Sequence, residues 1–192
     1  MTEPVPASAL DGWMPTDGTA AAAGISERLG LTLLILRGRA SDPVFLARAG
    51  TALDIDIPTR TGHAVSNGTV TVCALGPDEW FVEGRSQDGL HSRLAQLGLV
   101  VTDVSQGRTM LRLSGPVARD WLAQGCSIDL HPAAFPPGAC AQTAIARVPA
   151  LLMAVDATPT FDVSMSRSYA RAFWHWLVEA GGLPVAEHRG TR

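Results

Sequence analysis

Cys126, His131 and Cys140 are the residues whose types most readily suggest chemistry, since thiolates and an imidazole can share a zinc ion or act as nucleophile and base. Their spacing argues otherwise. Four residues separate the first two and eight the last two, which matches none of the common tight ligand pairs, and no fourth ligand is evident. Buried thiols beside a loop histidine are the expected arrangement. His63, His91, His131, His175 and His188 are scattered along the chain and single out no Cys-His pair.

Other catalytic and cofactor patterns are equally thin. A dinucleotide site needs glycines that let backbone amides reach a pyrophosphate at a helix N-terminus, and no G-x-G-x-x-G occurs. Gly107-Arg108-Thr109 lacks the upstream glycine and the lysine of a phosphate loop, and G-x-S-x-G is absent. Asp103, Ser105, Gly107 and Arg108 precede an apolar strand. Asp103 and Ser105 are expected to satisfy backbone donors in a turn that Gly107 permits. No catalytic, cofactor-binding or metal-binding residue is expected in this chain.

The elements that would position any site are clearest from Asp103 to Arg147. Thr109 to Leu113 reads as a buried strand, Ser114 as a helix cap, Pro116 as a first-turn residue and Gly125 as the stop. Val117, Ala118, Trp121 and Leu122 share one face of that helix. Ile128-Asp129-Leu130, a Pro/Gly-rich loop over 132–138 and a strand from about Thr143 follow. Upstream, Leu31 to Leu36 reads as a strand, Asp42-Pro43 to Gly50 as a helix, and Asn67-Gly68 as a turn into TVTVCAL. Trp80-Phe81-Val82 then forms the return strand, and a helix carries Leu90, Leu94 and Leu97 to Gly98.

This succession repeats in the second half. Pro43 matches Pro116, Gly50 matches Gly125, Ile55-Asp56-Ile57 matches Ile128-Asp129-Leu130, Phe81 matches Phe161 and Gly98 matches Gly181. The expected fold is α+β, with two related ferredoxin-like βαββα units packed together, pseudo-repeats over about 29–98 and 103–181 of a single domain at 24–182. Residues 1–23 are expected to be a flexible arm, or a segment lying on a partner through Trp13 and Met14, and 183–192 a tail. The last helix, about Ser168 to Ala180, is expected to bury Tyr169, Phe173, Trp176, Leu177 and Ala180. Trp174 and Val178 flank that stripe and are the candidates for a protein contact.

Composition excludes several function classes. A chain of 192 residues, 46% hydrophobic and 17% charged, can bury a good core. With a formal net charge of −3 and its 15 basic residues, all Arg, spread out, it carries no footprint for nucleic acid or an anionic membrane. Three cysteines without a signal-like N-terminus, and no apolar run long enough to span a bilayer, lead to an expectation of free thiols in a cytoplasmic protein.

The motifs DVSQGRT (Asp103 to Thr109), LRLSGP (Leu111 to Pro116), GCSIDLHP (Gly125 to Pro132), FPPGACAQT (Phe135 to Thr143) and Pro159-Thr160-Phe161-Asp162 together resemble the gamma subunit of heterotetrameric sarcosine oxidase. More distantly, the chain is similar to the folate-binding aminomethyltransferase domain of the glycine cleavage system. The resemblance implies a non-catalytic structural subunit of an αβγδ flavoenzyme. That enzyme would oxidise sarcosine to glycine, with hydrogen peroxide and either formaldehyde or methylene-tetrahydrofolate as the other products. It also implies that FAD, FMN, NAD, tetrahydrofolate and zinc belong to partner subunits, with alpha the main contact and beta and delta completing the assembly. Asp103, Ser105, Gly107 and Arg108 resemble the start of the aminomethyltransferase pattern, but the second region that completes a folate site does not align. The alternatives are the same role in a complex acting on another N-methyl amino acid, such as N-methylglutamate, and a stand-alone folate-binding transferase.

Overall fold

The computed structural model describes residues 8–15, 18–85 and 89–183. A one-turn helix α1 (Thr19–Ala22) is followed by β1 (Ile25–Glu27), β2 (Leu31–Arg37), α2 (Pro43–Leu53), β3 (Ala64–Ser66), β4 (Val70–Gly76), β5 (Glu79–Arg85) and α3 (Leu90–Gln96). From β1 onward the succession then recurs as β6 (Val100–Asp103), β7 (Arg108–Ser114), α4 (Ala118–Ala123), β8 (Cys140–Ile145), β9 (Val148–Asp156), β10 (Thr160–Ser166) and α5 (Ala170–Gly181).

The strands form two antiparallel sheets of five, ordered β3-β4-β5-β2-β6 and β8-β9-β10-β7-β1. Written this way the two orders correspond strand for strand. One exchange links them. β6 leads into the second unit but pairs with β2 of the first, whereas β1 leads into the first unit but pairs with β7 of the second. Each βαββα unit thus receives its closing strand from the segment that precedes the other unit, and each carries one further edge strand, β3 or β8.

Four layers result, helices outside and the two sheets face to face, because each sheet turns one apolar face to its helices and a second face, apolar with a few buried polar residues, to the other sheet. Leu34, Leu36, Val82 and Trp80 face α2 and α3. On the other side, Leu111, Leu113, Leu152, Phe161 and Val163 face α4 and α5. Between the sheets lie Leu33, Cys73, Phe81, Met110, Cys140, Leu151 and Met153. The register corrects one sequence match. Trp80 pairs with Leu36 as Phe161 pairs with Leu113, so the counterpart of Phe161 is Trp80, and Phe81 faces the opposite way.

The sheets also join edge to edge around a local two-fold. Ala64 N donates to Gly138 O at 2.7 Å, and Cys140 N donates to Gly62 O at 2.8 Å. Gly62 N donates to Ala74 O and Gly138 N to Ala154 O, both at 2.9 Å. Both glycines need the left-handed region, with φ of 82° and 81°, and a Cβ on either would approach the other unit's carbonyl oxygen at 3.3 or 3.2 Å.

Local signals fix both ends of α2, although Gly50, expected as its stop, lies inside the helix. Asp42 Oδ1 accepts from Val44 N at 2.9 Å with Pro43 in the first turn, and Asp54 closes α2 at φ 53°. Asn67, beyond supplying the turn before β4, donates its Nδ2 to the carbonyls of Leu53 and Asp54 at 3.2 and 2.9 Å, which caps α2 from outside. Ser114 is not the cap of α4. Its N and Oγ both bond Gly24 O, at 2.7 and 3.1 Å, at the end of β7, and the helix starts later, at Ala118. Gly125 serves packing: a Cβ there would lie 2.5 Å from the Trp176 ring.

Two expectations fail for a common reason. Helix α5 buries Ala170, Phe173, Trp174, Leu177 and Val178, the i, i+3, i+4, i+7, i+8 pattern, while Tyr169 is exposed and Trp176 half-buried. Trp174 and Val178, read as a protein-contact flank, are only 4% and 5% exposed. What covers this helix is the chain's own N-terminal segment. Ala9, Leu10 and Ala20 are buried in the same cluster, Trp13 meets His175 edge-on at 4.9 Å, and Arg171 lies over the Trp13 ring at 5.2 Å. Residues 8–15 and 18–23 are therefore packed structure and not an arm; 1–7 and 184–192 lie outside the described residues.

Candidate functional site

Between the two sheets, at the end where β1 hands over to β2, a cleft of about 1010 Å³ opens to solvent. Its floor is charged. Glu83 on β5 and Asp162 on β10 face each other from opposite sheets, with side chains 5% and 3% exposed. Arg28, in the connection between β1 and β2, reaches between them. Its Nη1 donates to Asp162 Oδ2 at 2.8 Å and pairs with Glu83 Oε1. Arg112 on β7 clamps Asp162 from its own sheet, Nε to Oδ1 at 2.8 Å and Nη2 to Oδ2 at 2.7 Å. This bidentate fork raises the Arg112 guanidinium pKa further.

Asp162 is thus saturated and Glu83 is not. Glu83 Oε2 is buried without a hydrogen-bond partner; the only other such side-chain atom among the described residues is Arg119 Nη1, whose guanidinium lies over the Phe161 ring at 5.1 Å. Desolvation pushes the Glu83 carboxyl above the usual glutamate range, and Arg28 only partly opposes it. Chemically, the floor can hold two sheets together through Arg28, and it can accept one more hydrogen bond at Glu83.

Farther along the inter-sheet layer, the mutual influence of the Cys73 and Cys140 thiols raises that of Cys73, which burial also pushes up, well above its ordinary value and lowers that of Cys140. Cys73 Sγ also lies 3.1 Å from Met153 Sδ, and both cysteines are buried. At the opposite end, Arg108 donates from Nε to Ser164 Oγ at 2.9 Å and from Nη2 to Ser164 O at 3.1 Å, and its guanidinium lies over Phe81 at 5.6 Å. Burial lowers its pKa.

The residues considered for chemistry do not converge. Cys126 is half-buried on the helix side of its sheet, Cys140 lies between the sheets, and His131 closes a turn in which its N donates to Asp129 Oδ1 at 2.8 Å. Among the described residues no three His, Cys, Asp or Glu side chains gather as metal ligands would. Asp103 Oδ1 accepts from Ser105 N at 2.8 Å and Ser105 Oγ at 2.6 Å, while Ser105 Oγ accepts from Leu33 N at 2.9 Å. That turn pins β7's approach to β2. Gly107 has no positive φ, so the turn does not depend on it.

Residues 37–182 match the profile of the family described as sarcosine oxidase, gamma subunit family. The sarcosine oxidase gamma subunit of an Arthrobacter species is 33% identical over 182 residues, 91% of this chain and 88% of that relative. That of Corynebacterium sp. strain U-96 is 30% identical over 139 residues, 70% of this chain and 67% of the relative. Among solved structures, a chain of the heterotetrameric sarcosine oxidase from Corynebacterium sp. U-96, in complex with pyrrole 2-carboxylate, superposes with a TM-score of 0.78 at 25% identity, covering 94% of this chain and 98% of that one. The glycine cleavage system aminomethyltransferase T from Bartonella henselae shares the fold, with a TM-score of 0.61 at 15% identity over 84% of this chain and 46% of its own.

Proposed function

The chain belongs to the sarcosine oxidase gamma subunit family, and from that premise we propose that it is a non-catalytic structural subunit of a flavin-dependent, heterotetrameric sarcosine oxidase in the cytoplasm. The assembled enzyme would demethylate sarcosine to glycine, releasing hydrogen peroxide and formaldehyde or passing the carbon to tetrahydrofolate. FAD, FMN, NAD, tetrahydrofolate and zinc are assigned to the partner subunits, with alpha as the main contact of this chain and beta and delta completing the assembly.

The observation that carries the structural role is the use made of its charged groups. Arg28 is consumed in tying Asp162 of one sheet to Glu83 of the other, Arg112 in holding Asp162 within its own sheet, and Arg108 is tied to Ser164. Groups spent on such contacts are positioned to hold a shape, not to move a substrate proton. The tagged chain, purified from its host, should bring down three further subunits and a visible flavin spectrum. Turnover of sarcosine by the isolated chain, or flavin bound to it alone, would refute the role; oxidation rates of the whole complex across N-methyl amino acids identify the amine.

A further inference from the structure

The cleft between the sheets has two properties that the ion pairs do not explain. Its lips are apolar and exposed: Leu29, Val65 and Val155 line it at 64%, 38% and 40% exposure. They come from three separate segments, the connection from β1 to β2, the edge strand β3, and β9 near its turn into β10. Isolated surface aliphatics need no explanation, but three around one opening form a hydrophobic rim. Below that rim, Glu83 Oε2 is buried and has no partner. A lost hydrogen bond at a buried acceptor costs about 1–3 kcal/mol.

The charges decide what fits. The cleft is lined by Glu27, Glu83 and Asp162 and by Arg28, Arg85 and Arg112, three of each sign. An added ammonium or carboxylate would unbalance a set that is already neutral. A neutral N–H or O–H donor completes Glu83 without adding charge. A donor flanked by aliphatic side chains is what an extended polypeptide offers, with apolar groups for the rim and one amide for the floor. The volume, about 1010 Å³, is at the upper end of small-molecule pockets and suits several residues of chain.

We infer that the inter-sheet cleft is the docking site for an extended, apolar segment of a partner subunit, seated on Leu29, Val65 and Val155 and donating one neutral hydrogen bond to Glu83 Oε2. This rests on the proposed role as an oxidase subunit. It names the surface through which that role is exercised, and it gives the raised carboxyl of Glu83 a purpose in the complex: once covered, the group has its missing donor.

The test uses the co-expressed complex, with the tag on this chain. Replacing two rim residues together, Leu29→Asp and Val155→Asp, should lower the recovery of partner subunits at least tenfold. Val44→Asp and Val100→Asp, on α2 and β6 outside the cleft lining and about as exposed as Leu29, should change it less than twofold. Because the rim changes are at exposed positions, the melting curve of each purified variant chain should overlay the parent. A photo-crosslinking residue at Val65 gives a second reading, and should join this chain to one contiguous, aliphatic-rich peptide of a partner. Crosslinks from Val44 or Val100 but none from Val65, or undiminished recovery with the rim variants, overturn the inference. A small molecule retained in native mass spectra of the complex and lost in the rim variants overturns it in favour of a ligand pocket. A parent chain that captures no other subunit refutes the oxidase-subunit reading itself, and this inference with it.

Discussion

Replacing Arg28 by Met should loosen the two sheets in a pH-dependent way. The substitution keeps much of the side-chain volume over Met110 but removes the cation that joins Glu83 to Asp162. Asp162 retains both bonds from Arg112, so the loss falls mainly on Glu83, whose two carboxylate oxygens are then both unpaired. Removing one member of a buried ion pair costs about 3–5 kcal/mol. Arg28 is 24% exposed at the open end of the cleft, so water can relieve part of this and about 2–3 kcal/mol is the better expectation at pH 7.5. The sign follows from desolvation. The folded-state pKa of Glu83 already lies above that of an unfolded glutamate, near about 4.3, and Arg28 is the main influence holding it down. With a raised pKa, the group's contribution to stability is intact below the unfolded value and is lost as pH rises through the folded one. Without Arg28 the folded pKa rises further, so the deficit should be large at pH 7.5 and shrink toward pH 5. In urea unfolding, 2–3 kcal/mol corresponds to a midpoint shift of about 1 M at neutral pH. Adding Glu83→Gln should recover more than half of it, since a neutral amide is cheaper to leave there than a carboxylate. An Arg28→Met deficit that is the same at both pH values, or that Glu83→Gln leaves untouched, would refute the reasoning.

Two further outcomes are expected. Gly62→Ala and Gly138→Ala should each cost about 1–2 kcal/mol, because both residues hold a positive φ and face the other unit's carbonyl oxygen; denaturation midpoints that differ several-fold in their shift would contradict the local two-fold. Trp174→Ala should destabilise the chain by about 3–5 kcal/mol in thermal unfolding, as a fully packed aromatic does; an unchanged melting temperature accompanied by weaker partner capture would return Trp174 to the surface.

The strands and helices with strong local patterns were legible in sequence: β2, β4, β5, α3, and the recurrence of α2 and α4 after their prolines, though not the glycine stops, since Gly50 lies inside α2 and Gly125 serves packing. Those signals act within a few residues, and so a sequence shows them. What decides the rest acts at long range. β1 is three residues long, and only its pairing with Leu111 to Leu113 makes it a strand. The width of the apolar stripe on α5 shows in the sequence, but not that Leu10, some 160 residues earlier by simple difference of numbering, would occupy the same cluster. The repeat itself was visible, yet the Phe81–Phe161 match was one residue out, because an apolar strand buried on both faces gives no alternation to fix the register. The charged floor was missed because its partners are far apart in sequence. Glu83 in Glu79–Arg85 and Asp162 in Thr160–Ser166 each follow directly on a buried apolar residue inside a central strand, and that placement is the available signal: a carboxylate held there needs a cation from elsewhere in the fold.

The exchange of closing strands also sets an order of events as the chain emerges from the ribosome. The first sheet can close on its own, since β6 follows it immediately. β1 is made before everything it pairs with, and must wait until β7 has been synthesised, about 80 residues later, before its hydrogen bonds can form. The second half therefore cannot fold to completion from its own residues. Cut from the first half near residue 104, it would present the edge of β7 unpaired, an invitation to strand pairing with other chains, so the two halves are related in form but not separable as folding units.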